Sequence, residues 1–488
     1  MQAPKSIKKN MFMSVLLTTS NFLFPLITYS YVARTLTPVG IGKTTFVNSV
    51  LQYFSYVAVL GIPAYGVREC AKVRDDRDAF SKTVKELLII NIFSTSIAYL
   101  GLIITICTIP KISEYKELFG VMGWSIFLNS IGMEWVYQSL EEYSYITKRS
   151  LVIKIISVIL TFILIRSSND VLMYGFLTIF SSSASNICNF LALKKHVYLK
   201  KKYTYELKRH LKPIFSLFTA SIIITIYANF DISMLGFIST EHEIGLYNSA
   251  LKIKSIILSV STAVTAVIVP RMAYYLKNND NKLASFLAEK SLRVSMILAF
   301  PLAVYIYIFA DKCLLFLCGE EFLSASGTLR VLMMCIIPLI LTNLFGNQIL
   351  IPCGNEQRYS QSVFIGMWIN LILNTLLIPK YGAFGAAIGT LVTEWWNVVW
   401  MSGGAAKPYR KMLLKHIKFE VYIIAVLVSI IMGLVVNNLF KLNNVIYQLM
   451  VTSVVFFGSF YICLIVFREC VINQQLSGVF NKIKKQKK

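Results

Sequence analysis

Charge is what this chain of 488 residues has least of: only 15% are Asp, Glu, Lys or Arg, against roughly a quarter in soluble domains. With 56% hydrophobic residues and a mean hydropathy of +0.64, it has too little polar surface for a water-soluble globule. Acidic residues are scarcer still, 24 against 48 basic ones, and there are four His. Carboxylate pairs on a large polar insertion, the usual equipment of a membrane enzyme acting on sugars, have nowhere to sit. The nine Cys are scattered and form no CxxC pair, so neither a structural zinc site nor a redox pair is expected, and they read as small apolar fillers. No GxxxxGK[ST] loop occurs, which excludes a P-loop nucleotide site. No small-residue cleavage site follows "KSIKKN", so the first apolar segment is expected to be retained.

What the sequence has instead is apolar runs of membrane-spanning length. About 20 apolar residues cross a bilayer, and fourteen such stretches are legible. They lie at roughly 11–33, 41–66, 84–109, 118–140, 150–166, 170–193 and 213–238. The rest lie at roughly 244–270, 291–311, 327–352, 359–378, 382–402, 420–440 and 445–467. The fold expected is an all-α polytopic membrane protein. With the N-terminus inside, most Lys and Arg fall on the inner side, led by "KKHVYLKKKYTYELKRHLK" at 194–212 and the tail "KIKKQKK". That asymmetry fixes the orientation, both termini cytoplasmic. It also accounts for the net charge of +24 without a nucleic-acid partner.

Short patterns recur at a shift of about 210 residues, the weak internal symmetry of transporters. Pro63 and Pro270 each close a span ahead of a basic loop, and "GIGKTTFVNSV" echoes "EIGLYNSAL". The expected organisation is a six-helix lobe at 1–205, a second at 206–405 and a central cavity between them. Two additional helices and a basic tail occupy 406–488.

Ionisable residues at membrane depth are expensive, about 2.5–3.5 kcal/mol for a central Lys on insertion scales, and mark function when a partner can be named. Lys252 and Lys254 lie in "GLYNSALKIKSIILSV". The seventh and eighth spans form a hairpin joined near 239–243, which brings Asp231 level with Lys252 as a charge pair. Lys254 is two residues on, about 200° around the helix, and faces elsewhere. The same hairpin geometry sets Glu134 near the level of Lys154. Glu394 lies low in the twelfth span. Arg34 ends the first, either in a cavity or snorkelling to the interface. Pro25 bends that span, as a gate or as a static kink.

Five stretches together resemble bacterial repeat-unit flippases of the Wzx type, in the polysaccharide transport branch of the multidrug/oligosaccharidyl-lipid/polysaccharide exporter superfamily. They are "PLITYSYVARTLTPVGIG" (25–42), "LGIPAYGVRECAKVRDD" (60–76), "MEWVYQSLEEYSYITKRSLVIK" (133–154), "DISMLGFISTEHEIGLYNSALKIKS" (231–255) and "IPKYGAFGAAIGTLVTEWW" (378–396). The resemblance implies a substrate, an undecaprenyl-diphosphate-linked oligosaccharide turned to the outer leaflet of the bacterial cytoplasmic membrane for surface polysaccharide synthesis. It implies no catalysis and no cofactor. It assigns the lipid diphosphate to cavity cations, with Lys252 and Arg34 matching basic positions of the family and Lys254 an additional candidate. Transport would be driven by an H+ or Na+ gradient, with Asp231, Glu134, Glu394 and Lys154 as coupling or charge-pair candidates. Membrane lipids surround such a protein, and the polymerase and glycosyltransferases of the pathway are its expected partners. The alternatives are a lipid II flippase, a multidrug exporter of the same superfamily, and, from another class, a membrane glycan polymerase. Two additional spans and cavity lysines speak against the exporter, and short outer loops against the polymerase.

Overall fold

A computed structural model describes residues 7–198, 200–278, 280–440 and 444–473. Every regular element among them is helical. Two segments are too long for one crossing. Ile7–Val59 would extend about 80 Å at 1.5 Å per residue, and its backbone breaks at Thr37, φ 63°. Glu356–Met401 breaks at Gly382, φ 50°. Pro38 follows the first break and excludes helical geometry at Thr37; the second exploits the freedom of glycine. At Pro25 the backbone stays helical.

Split there, the segments give α1 (7–36) and α2 (38–59), and α11 (356–381) and α12 (383–401). Between them lie α3 (Arg77–Thr108), the broken α4 (Trp124–Gly132 and Glu134–Ser139), α5 (Tyr143–Leu164) and α6 (Val171–Ser183 and Ser185–Ala192). Next come α7 (Lys208–Ile238), α8 (Glu241–Lys277) and α9 (Asn281–Ile308). The broken α10 is Ser326–Met334, Ile336–Thr342 and Asn343–Leu350, and α13 (Phe419–Leu439) and α14 (Val445–Val466) close the chain. Most of each apolar stretch falls on one helix or one broken helix; 41–66 runs past α2 into Ile62–Lys72, and 118–140 begins in Lys116–Met122. By length and composition alone, seven helical segments of the described chain, three of them containing the breaks described here, can cross a membrane, or eight with the bent α6.

The exposed faces are oily rather than charged. On α3, Phe93 and Leu100 are 69% and 61% exposed, and on α14 Val454 is 73% exposed. Apolar surface of this extent is stable only against lipid. The protein is a polytopic helical membrane protein.

Two compact units divide the chain, Met1–Asn248 and Ser249–Lys488, with the boundary inside α8. In the first unit the core near the basic end gathers Ile62, Tyr65, Trp135, Tyr137 and Val197. The basic segment 194–212, which composition alone would leave in solvent, is fastened to α3. Tyr198 N–H donates to Ser81 Oγ at 3.0 Å, Lys85 Nζ to the Lys201 carbonyl at 2.5 Å, and Lys201 pairs with Asp78 at 2.7 Å. The anchor is Glu86, fully buried. It accepts from Glu206 N–H at 2.8 Å, Arg209 Nη2 at 2.6 Å and meets His210 Nε2 at 2.9 Å. The Glu206 carboxyl is held below its usual range by Lys82, and Arg209 is raised by its bond to Glu86.

At the other end of the same unit, the α1–α2 turn meets the first turn of α8. A Cβ on Gly42 would lie 1.8 Å from the Glu241 carbonyl oxygen, and one on Gly245 would lie 2.0 Å from that of Pro38. The contact is reciprocal: residues 38 and 42 of one turn face 245 and 241 of the other, and a shift of 203 carries 38 to 241 and 42 to 245. Both turns carry Ile-Gly at 41–42 and 244–245. Helix starts repeat as well. Asp76 caps α3 through Asp78 N–H and Ala79 N–H, and Asp280 caps α9 through Leu283 N–H.

In the second unit, α13 and α14 pair as a hairpin and pack on α9. Tyr305, Phe309 and Phe456 form the buried contact, and Tyr305 Oη lies 2.9 Å from Thr452 Oγ1. At the basic end Arg293 takes the part Glu86 plays in the first unit, with the charges exchanged. It pairs with Glu289 at 2.8 Å and the buried Glu469 at 3.0 Å, and Tyr422 Oη donates to Glu469 at 3.0 Å.

Candidate functional site

A membrane interior rarely holds charge, so the site is built from the buried ionisable and amide groups. In the first unit these converge where α4 breaks. Met133 takes a left-handed conformation, φ 39°, and interrupts the helix. The carbonyls this frees are taken up by side chains. Asn91 Nδ2 on α3 donates to Ser130 O at 2.8 Å, and Asn189 Nδ2 on α6 donates to Gly132 O at 2.6 Å. A Cβ at Gly132 would lie 2.4 Å from Asn186 Cγ, so α4 and α6 touch through glycine.

Directly after the break comes Glu134. Arg149 of α5 pairs with it at 3.3 Å and donates its other arm to the Ser185 carbonyl at 2.5 Å. Gln138 Nε2, one turn along α4, donates to the second carboxylate oxygen at 3.1 Å. Lys154 is also buried, but its Nζ is bound by Ser20 Oγ at 3.3 Å and by Asn21 Oδ1, both on α1. Thus Glu134 and Lys154 face different partners, and Arg149, not singled out in the sequence, holds Glu134. The signal was available: Arg149 lies four turns before the apolar end of α5 and is 8% exposed. In the sequence it counts only as one of many basic residues near an interface.

The cavity beside this break has a volume of about 380 Å³. Its polar lining includes Gln52, Tyr56, Asn91, Asn129, Glu134, Gln138 and Asn186.

Asp231 is half-buried on α7 and accepts from Tyr247 Oη at 2.6 Å. Arg34 is exposed at the end of α1. Lys252 and Lys254 belong to the second unit. The buried seam of α8 there runs through Ile253 and Ile257, 3% and 0% exposed. The lysines flank it, Lys252 exposed and Lys254 half-buried. Isoleucine does the packing, and each ammonium emerges on its own side of the seam. Glu394 is buried on α12, one turn from Asn397, which accepts from Ser362 Oγ at 2.9 Å. Below them Asn374 Nδ2 donates to Asn370 Oδ1 at 2.9 Å, and a Cβ on Gly389 would lie 2.4 Å from Asn374 Oδ1. The α11–α12 contact is therefore polar and glycine-faced. No cluster of three or more His, Cys, Asp or Glu suited to a metal ion occurs among the described residues.

A broken-helix polytopic bundle with charged groups at membrane depth is the class of structure that transporters build. The fold agrees with two solved transporters. One is the lipid II flippase MurJ in an inward closed conformation, with a TM-score of 0.65 and 15% identity, covering 94% of this chain and all of that one. The other is an inward-facing multidrug resistance transporter of the MATE family, with a TM-score of 0.59 and 13% identity, covering 81% of this chain and 96% of that one. The chain belongs to the family described as "Polysaccharide biosynthesis protein", which matches residues 7–276. The MatE family matches residues 217–376. A curated relative named "Putative O-antigen transporter", from Escherichia coli (strain K12), is 25% identical over 403 residues, covering 80% of this chain and 94% of its own length.

Proposed function

We infer that the protein is a flippase that carries an undecaprenyl-diphosphate-linked oligosaccharide repeat unit from the cytoplasmic to the outer leaflet of a bacterial cytoplasmic membrane. The observation that carries this reading is membership of the polysaccharide biosynthesis family together with ionisable side chains kept at membrane depth. A diphosphate and a sugar chain cannot cross hydrocarbon unaided. A polar path opened to one side at a time lowers that barrier and makes or breaks no bond, so the role needs no catalytic group. Lys252, Arg34 and Lys254 are the cations offered to the diphosphate. Asp231 and Glu394 are the carboxylates offered to a coupling H+ or Na+, with Lys252 as the charge partner of Asp231. The basic ends of α3, α7 and α9 lie in the cytoplasm in this reading, where the pathway's glycosyltransferases deliver substrate. Its polymerase receives the product outside.

Lys252→Ala is expected to abolish surface glycan in a complemented strain lacking its own flippase, while the protein still reaches the membrane at normal level. Normal glycan in that strain removes Lys252 from the diphosphate site. The charge-swapped Asp231→Lys/Lys252→Asp variant should recover more glycan than either single change, and no recovery dissolves the pair.

A further inference from the structure

We propose that the cavity at the α4 break is a sugar-binding subsite, which receives one residue of the glycan while the lipid diphosphate is held elsewhere. This rests on the flippase reading above and adds to it where the saccharide is recognised.

The lining is the chemistry that binds polyols. Amides and carboxylates accept and donate to vicinal hydroxyls in pairs, and aromatic faces cover the C–H faces of a pyranose ring. Gln52, Asn91, Asn129, Gln138 and Asn186 supply five amides, Glu134 a carboxylate, and Tyr56, 39% exposed, an accessible ring. These groups come from α2, α3, α4 and α6 and meet only because α4 is interrupted at Met133. The carboxylate is fixed before any ligand arrives, by Arg149 on one oxygen and Gln138 on the other. Asn91 is 3% exposed, donates to Ser130, and its Oδ1 is buried with no hydrogen-bond partner. A buried acceptor in that state is destabilising, and a sugar hydroxyl that reached it would relieve this. Size argues the same way. At about 380 Å³ the cavity falls within the range of small-molecule pockets, about 300–1,000 Å³, and a single cation would leave most of it unused. Its one carboxylate is already neutralised by Arg149, which further disfavours a cation.

Two probes separate this subsite from the flippase reading. They are bare undecaprenyl diphosphate and the repeat-unit-carrying lipid extracted from the cells that make this protein. Binding of each to the purified full chain is measured by native mass spectrometry. The wild type should bind the glycosylated lipid at least tenfold more tightly than the bare one. Gln52→Leu and Gln138→Leu should bring that ratio close to one and leave bare-lipid binding unchanged. Tyr56→Leu, at an exposed position that does not threaten the fold, should lower the ratio several-fold. A wild-type ratio near one, or a ratio that all three variants leave intact, overturns the subsite while the diphosphate-binding protein stands. Failure to bind either lipid removes the flippase reading itself. Thermal stabilisation by millimolar Na+ that the Gln variants abolish, with the lipid ratio unmoved, makes the cavity an ion site and also overturns the proposal.

Discussion

Arg149 and Glu134 show how a membrane protein keeps charge at depth. Arg149 is nearly fully buried, its guanidinium divided between a carboxylate and a backbone carbonyl. Breaking a fully buried pair from one side costs about 3–5 kcal/mol, because the remaining charge loses its partner; the Glu134 side chain is 40% exposed, so the cost here is smaller. Arg149→Ala should therefore lower the thermal midpoint of the solubilised protein by several degrees. Arg149→Met with Glu134→Gln, which removes both charges and keeps the volume, should restore most of it. A double variant no better than Arg149→Ala would show that the Ser185 contact, not the ion pair, carries the effect. Individual charges were legible in the sequence wherever they interrupt an apolar run, as at Asp231, Lys252 and Glu394. The partner of Glu134 was not. Glu134 and Arg149 are only 15 residues apart, yet the break at Met133 decides that they meet, and one left-handed residue leaves no compositional trace.

At the scale of elements, the boundaries of helices were readable and their interruptions were not. The stretch 118–140 reads as one span but is three helical pieces, and 150–166 understates α5, which starts at Tyr143 because its first turns face the basic end. The basic segment 194–212 reads as solvated, since composition counts cations and cannot say which are tied down. Glu86 gives the reason: a carboxylate without solvent access must be matched, and its donors come from Glu206, Arg209 and His210, more than 100 residues later. Glu86→Ala should free this segment, and trypsin should then cut within 194–212 at least tenfold faster than in the wild type. Unchanged cleavage would mean that the Asp78 and Ser81 contacts suffice.

For the whole molecule, the distribution of Lys and Arg is the strongest signal in the sequence, and it predicts a testable topology. A reporter fused after Lys488 should report from the cytoplasm, and an external signal would break the pairing of odd and even spans. Two local features recur across the chain, the Asp-capped starts of α3 and α9 and the Ile-Gly turns at 41–42 and 244–245.

The reciprocal contact between the α1–α2 turn and the start of α8 also sets a timetable. The chain carries a strained Thr37, a cost of order 1–3 kcal/mol, relieved only by tertiary support. That support includes Glu241 and Gly245, about 200 residues downstream. At ribosomal rates of about 5–20 residues per second, the turn waits on the order of 10–40 s for its partner while the six intervening helices enter the bilayer. The earliest part of the chain to reach the membrane is thus among the last to be completed, and the insertion machinery has to keep the first hairpin open until the eighth helix arrives.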